Sequence, residues 1–372
     1  MLGYKNIGFK NMRSKLNLFK PVQKSFTLIK EIHAVHKPDF FSGLFSGNKW
    51  RHESMGKTVN YVTDPIHYHA LQNHMEVNIA QWTENKLSSP SIVEVVCQDW
   101  GLATLKATKT YGVIYAVLNM ANSLYPGGAV LEGGSAQEEN MWHRSTCIRS
   151  LLDEGVYLNQ ETNTFQYNRY KRNLIEAKAI MTNKELHVLN ENHKQHLSPK
   201  YKVLISAEPR ICFRGPEIHL PSDMDSFGSG IPTSDADLSY AFLPTSEIFP
   251  FYELRSAAPE FVTNTQRSQY GSEEEYKMDL RRRIAAQLDT LILARKAHVI
   301  LGAWGCGAFH NDPQIVAQIY REEIEKRSAF FQHILFPIIN IGSHNNNYHI
   351  FEEYLTDIKL GDTCSVKHGI KF

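Results

Sequence analysis

Three consecutive polar residues, Gln137, Glu138 and Glu139, follow two glycine pairs, Gly127-Gly128 and Gly133-Gly134, and two asparagines, Asn119 and Asn122. A positioned carboxyl can give a proton to a leaving oxygen and then take one from water. Glycines allow φ > 0, so a loop can point backbone N–H groups at a ligand. A second set lies near the C-terminus in G-A-W-G-C-G-A-F-H-N-D-P, Gly302 to Pro313. There Gly305 and Gly307 would let N–H groups converge on a diphosphate, with Cys306, Ala308 and Phe309 beside them. Each motif also has a structural reading. Glutamates are favoured in any first helical turn, and a glycine loop can be a tight turn.

The elements that must position these residues follow from periodicity and punctuation. Val113 to Leu118 is a β-branched and aromatic run of strand length, broken by Pro126-Gly127-Gly128. A helix is expected to open at Ser135, with Glu138 three residues on as a capping box and Met141, Ile148, Leu151 and Leu152 as its buried face. The unit is strand, glycine loop, helix, which places Glu138 and Glu139 at the carboxyl end of a strand, where open α/β sheets bind ligands. In the last third, Ser272 and Glu275 cap a helix of period near 3.6 running to Lys296, and Val299 to Leu301 is a short strand. Asp312 is an N-cap with Pro313 at the first helical position, the helix runs from Gln314 to Lys326, and Ile334 to Ile341 is a further strand. A right-handed β-loop-α-β unit results. Other strands are expected at Ile92 to Cys97, Tyr201 to Ser206, Ile211 to Phe213 and Phe251 to Ala258, and a helix at Pro65 to Lys86.

The 372 residues are 42% hydrophobic with a net charge of +1. That composition describes a soluble globular protein of one large or two smaller domains, and the charge balance speaks against a dedicated nucleic-acid binder. Cys97, Cys147, Cys212, Cys306 and Cys364 form no C-x-x-C pair, which argues against a disulfide framework or zinc ribbon and for a reducing, cytoplasmic compartment. No apolar run approaches a membrane span. His67, His69 and His74, and the group His187, His193 and His196, lack the spacing and carboxylates of a metal site, so no metal and no cofactor is expected. The first 37 residues carry eight Lys and Arg, among them Lys5, Arg13 and Lys30, against Glu31 alone. This basic arm reads as a solvated or partly helical extension; docking to a partner or an anionic surface is the functional alternative. Gly215 to Pro250 is dense in Pro, Ser, Asp and Gly and reads as an insertion or a lid. The expected divisions are 1–60, a basic extension; 61–360, the main domain with its insertion at 215–250; and 361–372, a tail.

Gly-Gly followed at this spacing by Gln137-Glu138-Glu139, behind Asn119 and Asn122, resembles the signature of the poly(ADP-ribose) glycohydrolases, most closely the bacterial type. Gly302 to Phe309 resembles the loop that holds the ADP-ribose diphosphate in that family, and the A-A-P of Ala257 to Pro259 recurs there. The third glycine usual before Q-E-E is replaced by Ala129, which would cost on the order of 1 kcal/mol if held at φ > 0. The resemblance implies an α/β, macrodomain-like fold with a mixed sheet between helices, an N-terminal extension and insertions. It implies that Glu139 is the acid/base, that Glu138 holds the ribose hydroxyls and Gln137 orients them, that Asn119 and Asn122 line the ribose side with Gly127 and Gly128, and that Gly305 to Phe309 binds the diphosphate.

Adjacent glutamates cannot face each other across a bond as a glycosidase pair does, because side chains on neighbouring residues diverge. Their parts must differ. The expected activity is hydrolysis of the O-glycosidic bond at the terminal ribose of ADP-ribosylated substrates, poly- or mono-ADP-ribose. Two alternatives stand beside it: a mono-ADP-ribosyl-protein hydrolase, translocated as a bacterial effector into a host cell and acting on a host protein such as modified ubiquitin, and a reader that binds ADP-ribose without turnover. The partner expected in each case is ADP-ribose or an ADP-ribosylated protein, with no nucleic acid and no transmembrane segment.

Overall fold

The computed structural model describes residues 23–39, 47–192, 200–220, 234–261, 269–339 and 346–361. Its centre is a seven-stranded sheet formed by β1 (Val93–Val96), β2 (Ala116–Met120), β3 (Leu204–Ile205), β4 (Arg210–Cys212), β5 (Phe249–Ser256), β6 (His298–Ile300) and β7 (His333–Pro337). The order is β1-β7-β6-β2-β5-β3, with β4 also on β5. From β1 to β5 all neighbours are parallel, and β3 and β4 run antiparallel to β5. Buried on both faces, these strands read as near-continuous apolar runs, as parallel strands between helices must.

Because successive side chains on a strand point to opposite faces, the sheet separates two cores. On one face Val117, Phe249, Phe251 and Ile300 pack with α1 (Phe26–Val35), α2 (Asn48–Thr63), α3 (Pro65–Glu84), α4 (Trp100–Tyr111) and α5 (Gln137–Arg144). The other face carries Leu118, Leu254, Val299 and Phe336. It is covered by three helices, Glu273–Leu293, Pro313–Glu325 and Asn347–Leu355, which follow the shorter α6 (Arg169–Ile175) and α7 (Asn183–Asn192) and are called α8, α9 and α10. This is the mixed sheet between helices expected of the chain.

Capping fixes several boundaries as expected. Ser272 Oγ accepts from Glu275 N at 3.2 Å at the start of α8, and Asp312 Oδ1 accepts from Gln314 N at 2.8 Å with Pro313 in the first turn of α9. Others differ. The strand expected from Val113 begins at Ala116, because Gly112, left-handed at φ 62°, caps α4 and the next three residues lead into the ladder. A hairpin pairs Val156–Asn159 with Thr164–Tyr167.

A boundary near residue 60 falls inside α2, and Ile29, Ile32, Met55, Val59 and Val62 are all buried in the first core. Residues 1–22 of the basic arm, His193, His196 and Cys364 lie outside the described residues. The Gly215 to Pro250 segment, apart from 221–233, is tied to the domain by Gly215 N donating to Ala241 O at 2.7 Å and Leu243 N to Phe213 O at 2.9 Å. His67, His69 and His74 are exposed on α3. Among the described residues no cluster of three or more His, Cys, Asp or Glu is arranged for a metal, and no helix is long and apolar enough to cross a membrane.

One buried polar link joins three elements. Gln287 of α8 donates to Ser256 Oγ of β5 at 3.1 Å and accepts from Tyr320 OH of α9 at 2.8 Å. Tyr320→Phe should cost about 1–3 kcal/mol by orphaning the Gln287 carbonyl, and Tyr320→Phe with Gln287→Leu should cost less than the two single changes added. Urea unfolding of the four proteins measures this.

Candidate active site

β2 ends at Met120 and the chain enters the glycine loop. Gly127 and Gly128 take φ of 83° and 57°, and space as well as φ demands them: a Cβ on Gly127 would lie 2.6 Å from Trp142, and one on Gly128 would lie 2.3 Å from Glu139 Oε1. Ala129 sits at φ −96°, an ordinary conformation, so the alanine at the third position carries no strain there.

The capping box expected at Ser135 does not form. α5 begins at Gln137 with Ala136 at its N-cap and no side-chain cap. Glu138 bends back to the loop: Oε2 accepts from Asn122 N at 2.6 Å and Oε1 from Gly127 N at 3.1 Å. Glu139 Oε1 accepts from Ala129 N at 2.9 Å, while Oε2 is buried without a partner among the described residues. Both carboxyls are nearly sealed, at 3% and 7% exposure. Burial, and after it the charge of Glu139, pushes Glu138 well above the ordinary glutamate range; burial likewise raises Glu139. Both glutamates sit in the first turn of α5, and their oxygens accept from loop N–H groups.

Gln137 Oε1 accepts from Met120 N and its Nε2 donates to Leu118 O, both at 2.9 Å, so the amide pins α5 to the end of β2. Asn122 Oδ1 accepts from Leu124 N and Tyr125 N. Asn119 Nδ2 donates to Glu253 Oε1 at 2.7 Å and faces Glu138 Oε1 at 3.5 Å.

Glu253 and Arg255 went unnoticed in sequence because they alternate within a strand of apolar residues; two charges at i, i+2 on a central strand were the signal. Register places Arg255 beside Asn119, on the face turned toward α5. Arg255 donates to Glu253 Oε2 at 2.7 Å and to Tyr167 OH at 3.0 Å, and also to Ser150 Oγ. Burial would raise the Glu253 carboxyl, but Arg255 and Arg210 outweigh it and hold it at about 2. A fixed anion and cation thus lie under Asn119, while the two loop carboxyls above it stay proton-loving.

The second glycine loop follows β6, which is parallel to and paired with β2, so both loops leave the same edge of the sheet. Ser256 O accepts from Ala121 N at 3.2 Å and from Trp304 Nε1 at 2.9 Å, joining the two loops through one carbonyl. Gly305 is the constrained residue, at φ 76° with a Cβ position 2.6 Å from both Ala258 Cβ and Asn311 Nδ2. Gly307 does not take φ > 0, and its Cβ position meets nothing within 4 Å. The N–H groups of Gly307, Ala308 and Phe309 donate to no acceptor among the described residues, and Phe309 packs half-buried against the second core. Cys306 is half-buried, and burial pushes its thiol up. Two cavities of about 490 and 280 Å³ open elsewhere, against α2.

A raised carboxyl has a stability consequence whose sign is fixed. The folded state binds the Glu139 proton more tightly than the unfolded chain does, so above the ordinary value of 4.5 stability falls as pH rises toward the folded value. Glu139→Gln keeps an oxygen for Ala129 N and has no charge to bury. The variant should match the parent below about pH 4.5 and melt higher than it above, by a margin that grows until the folded value is passed, which thermal unfolding across pH would show.

Residues 51–190 match the family model of the microbial-type PARG catalytic domain. No curated protein matches the chain. Among solved structures, the poly(ADP-ribose) glycohydrolase of Deinococcus radiodurans in complex with ADP-ribose is 18% identical, over 75% of this chain and 90% of that one, with a TM-score of 0.45. The enzyme of Thermomonospora curvata bound to the inhibitor ADP-HPD is 19% identical, over 82% and 98%, with a TM-score of 0.47. The matched segment runs from within α2 to within α7 and contains the asparagines, the first glycine loop and both carboxyls.

Proposed function

We propose that the chain hydrolyses the O-glycosidic bond at the terminal ribose of ADP-ribosylated substrates, with Glu139 as acid/base. The observation that carries this is the Glu139 carboxyl: buried, raised by its burial, held through one oxygen by Ala129 N, and with its other oxygen lacking a protein partner. Burial favours the protonated form of such a group, and the unpartnered oxygen is the one able to face a leaving oxygen.

Glu139 gives its proton to the glycosidic oxygen as the bond to the anomeric carbon breaks, and the leaving group departs as a neutral hydroxyl. The carboxylate so formed takes a proton from water, whose oxygen bonds to the anomeric carbon, and the acid is restored. Glu138, fixed by two N–H groups, accepts from the ribose hydroxyls. The substrate diphosphate lies on the unpaired N–H groups of Gly307 to Phe309 and offsets cationic charge at the ribose. Proposed site residues are accordingly Glu139 and Glu138 at the bond, with Asn119, the Gly127-Gly128 loop and Gly305 to Phe309 around the rest of the ligand.

Glu139→Gln should lower turnover at least ~10²-fold while ADP-ribose binding survives, since proton transfer enters the rate and the amide is nearly isosteric. Assays on free polymer and on a mono-ADP-ribosylated protein, reading released ADP-ribose, also decide which is the substrate; release from neither would leave only ADP-ribose binding.

The two glycines of the second loop separate cradle from turn. Gly305→Ala should weaken ADP-ribose at least ~10-fold, because its methyl group displaces Ala258 or Asn311. Gly307→Ala, with open space around it, should leave affinity within a few-fold. Calorimetry on both folded variants is the check; equal effects would remove the loop from the diphosphate.

A further inference from the structure

Behind α5, three buried guanidiniums share one neighbourhood: Arg51, Arg144 and Arg214, exposed by 6%, 1% and 3%. Two carboxylates answer them. Glu217 pairs with Arg51 at 2.6 Å and Asp99 with Arg144 at 2.8 Å. Arg214 donates to neutral oxygens: Tyr240 O at 2.6 Å, Ser54 O at 2.8 Å, Thr58 Oγ1 at 2.7 Å and Ser54 Oγ at 2.9 Å. Among the described residues the cluster therefore holds one positive charge in excess, and a buried charge without a counter-charge is costly.

His143 reports the same field. It is fully buried on α5, stacks on the Tyr240 ring at 4.6 Å, and has no hydrogen-bond partner on either ring nitrogen. Burial, then Arg214 and Arg51, keeps it neutral.

The excess charge opens on the cavity of about 280 Å³, lined by Arg214, Lys57, Ser54, Trp50, Tyr240 and Phe242. Two exposed acids, Glu53 and Asp237, are also on its wall; the acceptors of Arg214 among the described residues are the neutral oxygens of Ser54, Thr58 and Tyr240. We propose that this cavity is a phosphate site, separate from the loop after β6, taking a phosphate group that is either free or carried by a mononucleotide whose ring lies against Trp50 and Phe242. Arg214 supplies the buried cation, Lys57 a mobile second one, and Ser54 a hydroxyl. The inference does not depend on the glycohydrolase activity.

The full chain is titrated by calorimetry, and its melting followed, with inorganic phosphate and separately with adenosine monophosphate. Saturable phosphate binding is expected, weakened roughly tenfold by Lys57→Ala, about one charge-assisted hydrogen bond, and abolished by Arg214→Met. Gly305→Ala should leave it unchanged. Should Arg214→Met fail to fold, Lys57→Ala at the exposed rim carries the test. Trp50→Ala weakening the nucleotide and not phosphate identifies a nucleotide site; equal, unchanged binding of both identifies a site for free phosphate. No saturable binding to the wild-type chain, or binding lost in Gly305→Ala and kept in Lys57→Ala, overturns the proposal.

Discussion

Two carboxyls on adjacent residues, both withdrawn from water, are the constraint to which the surrounding structure answers. Removing an acid from solvent is unfavourable unless N–H groups or cations meet it, and like charges a few ångströms apart cannot both persist. The glycine loop meets this demand with backbone alone. Asn122, Gly127 and Ala129 each turn an N–H toward the glutamates, and the two positive-φ glycines make that turn possible. The supply is uneven: Glu138 receives two N–H groups and Glu139 one. Chemically alike neighbours thereby acquire different surroundings, which is what two different roles require.

Below the loop, the sheet supplies rigidity. Gln137 fastens α5 to the end of β2 by both halves of its amide, and the Glu253–Arg255 pair holds Asn119 from the next strand. A pair of opposite charges buried on a central strand adds little net stability, since desolvation offsets attraction. Its value here is geometric: Asn119 is fully buried and its amide is oriented by a carboxylate held ionised by Arg255 and Arg210. The Ser256 carbonyl extends the same scaffold to the second loop, so carboxyls and glycine cradle share one strand end.

The α2 side of the molecule is organised by a different imbalance. α1 and α2 close the first core; Arg51 of α2 donates to Glu217, in the segment after β4, and Arg214 of that segment donates to Ser54 of α2. Tyr240 links that charge cluster to α5 through His143 and Asn140.

The amino-acid sequence by itself determined the strand-loop-helix units, the helix starts at Ser272 and Asp312, and the residues on which chemistry could rest, because periodicity, glycine and capping act over a few residues. Glu138 and Glu139 were legible for the same reason. Their surroundings were not. Ser135 and Glu138 satisfy the local rule for a capping box, yet tertiary structure gives the Glu138 oxygens to Asn122 and Gly127, since N–H groups in a desolvated pocket bind a carboxyl more strongly than an exposed helix end does. Gly305 and Gly307 look equivalent in sequence, and only the packing of Ala258 and Asn311 makes one of them indispensable. Glu253 and Arg255 became part of the site through register with Asn119, and Arg214 became an unbalanced charge through neighbours brought from α2. Both depend on contacts between residues more than a hundred positions apart, which no local pattern records.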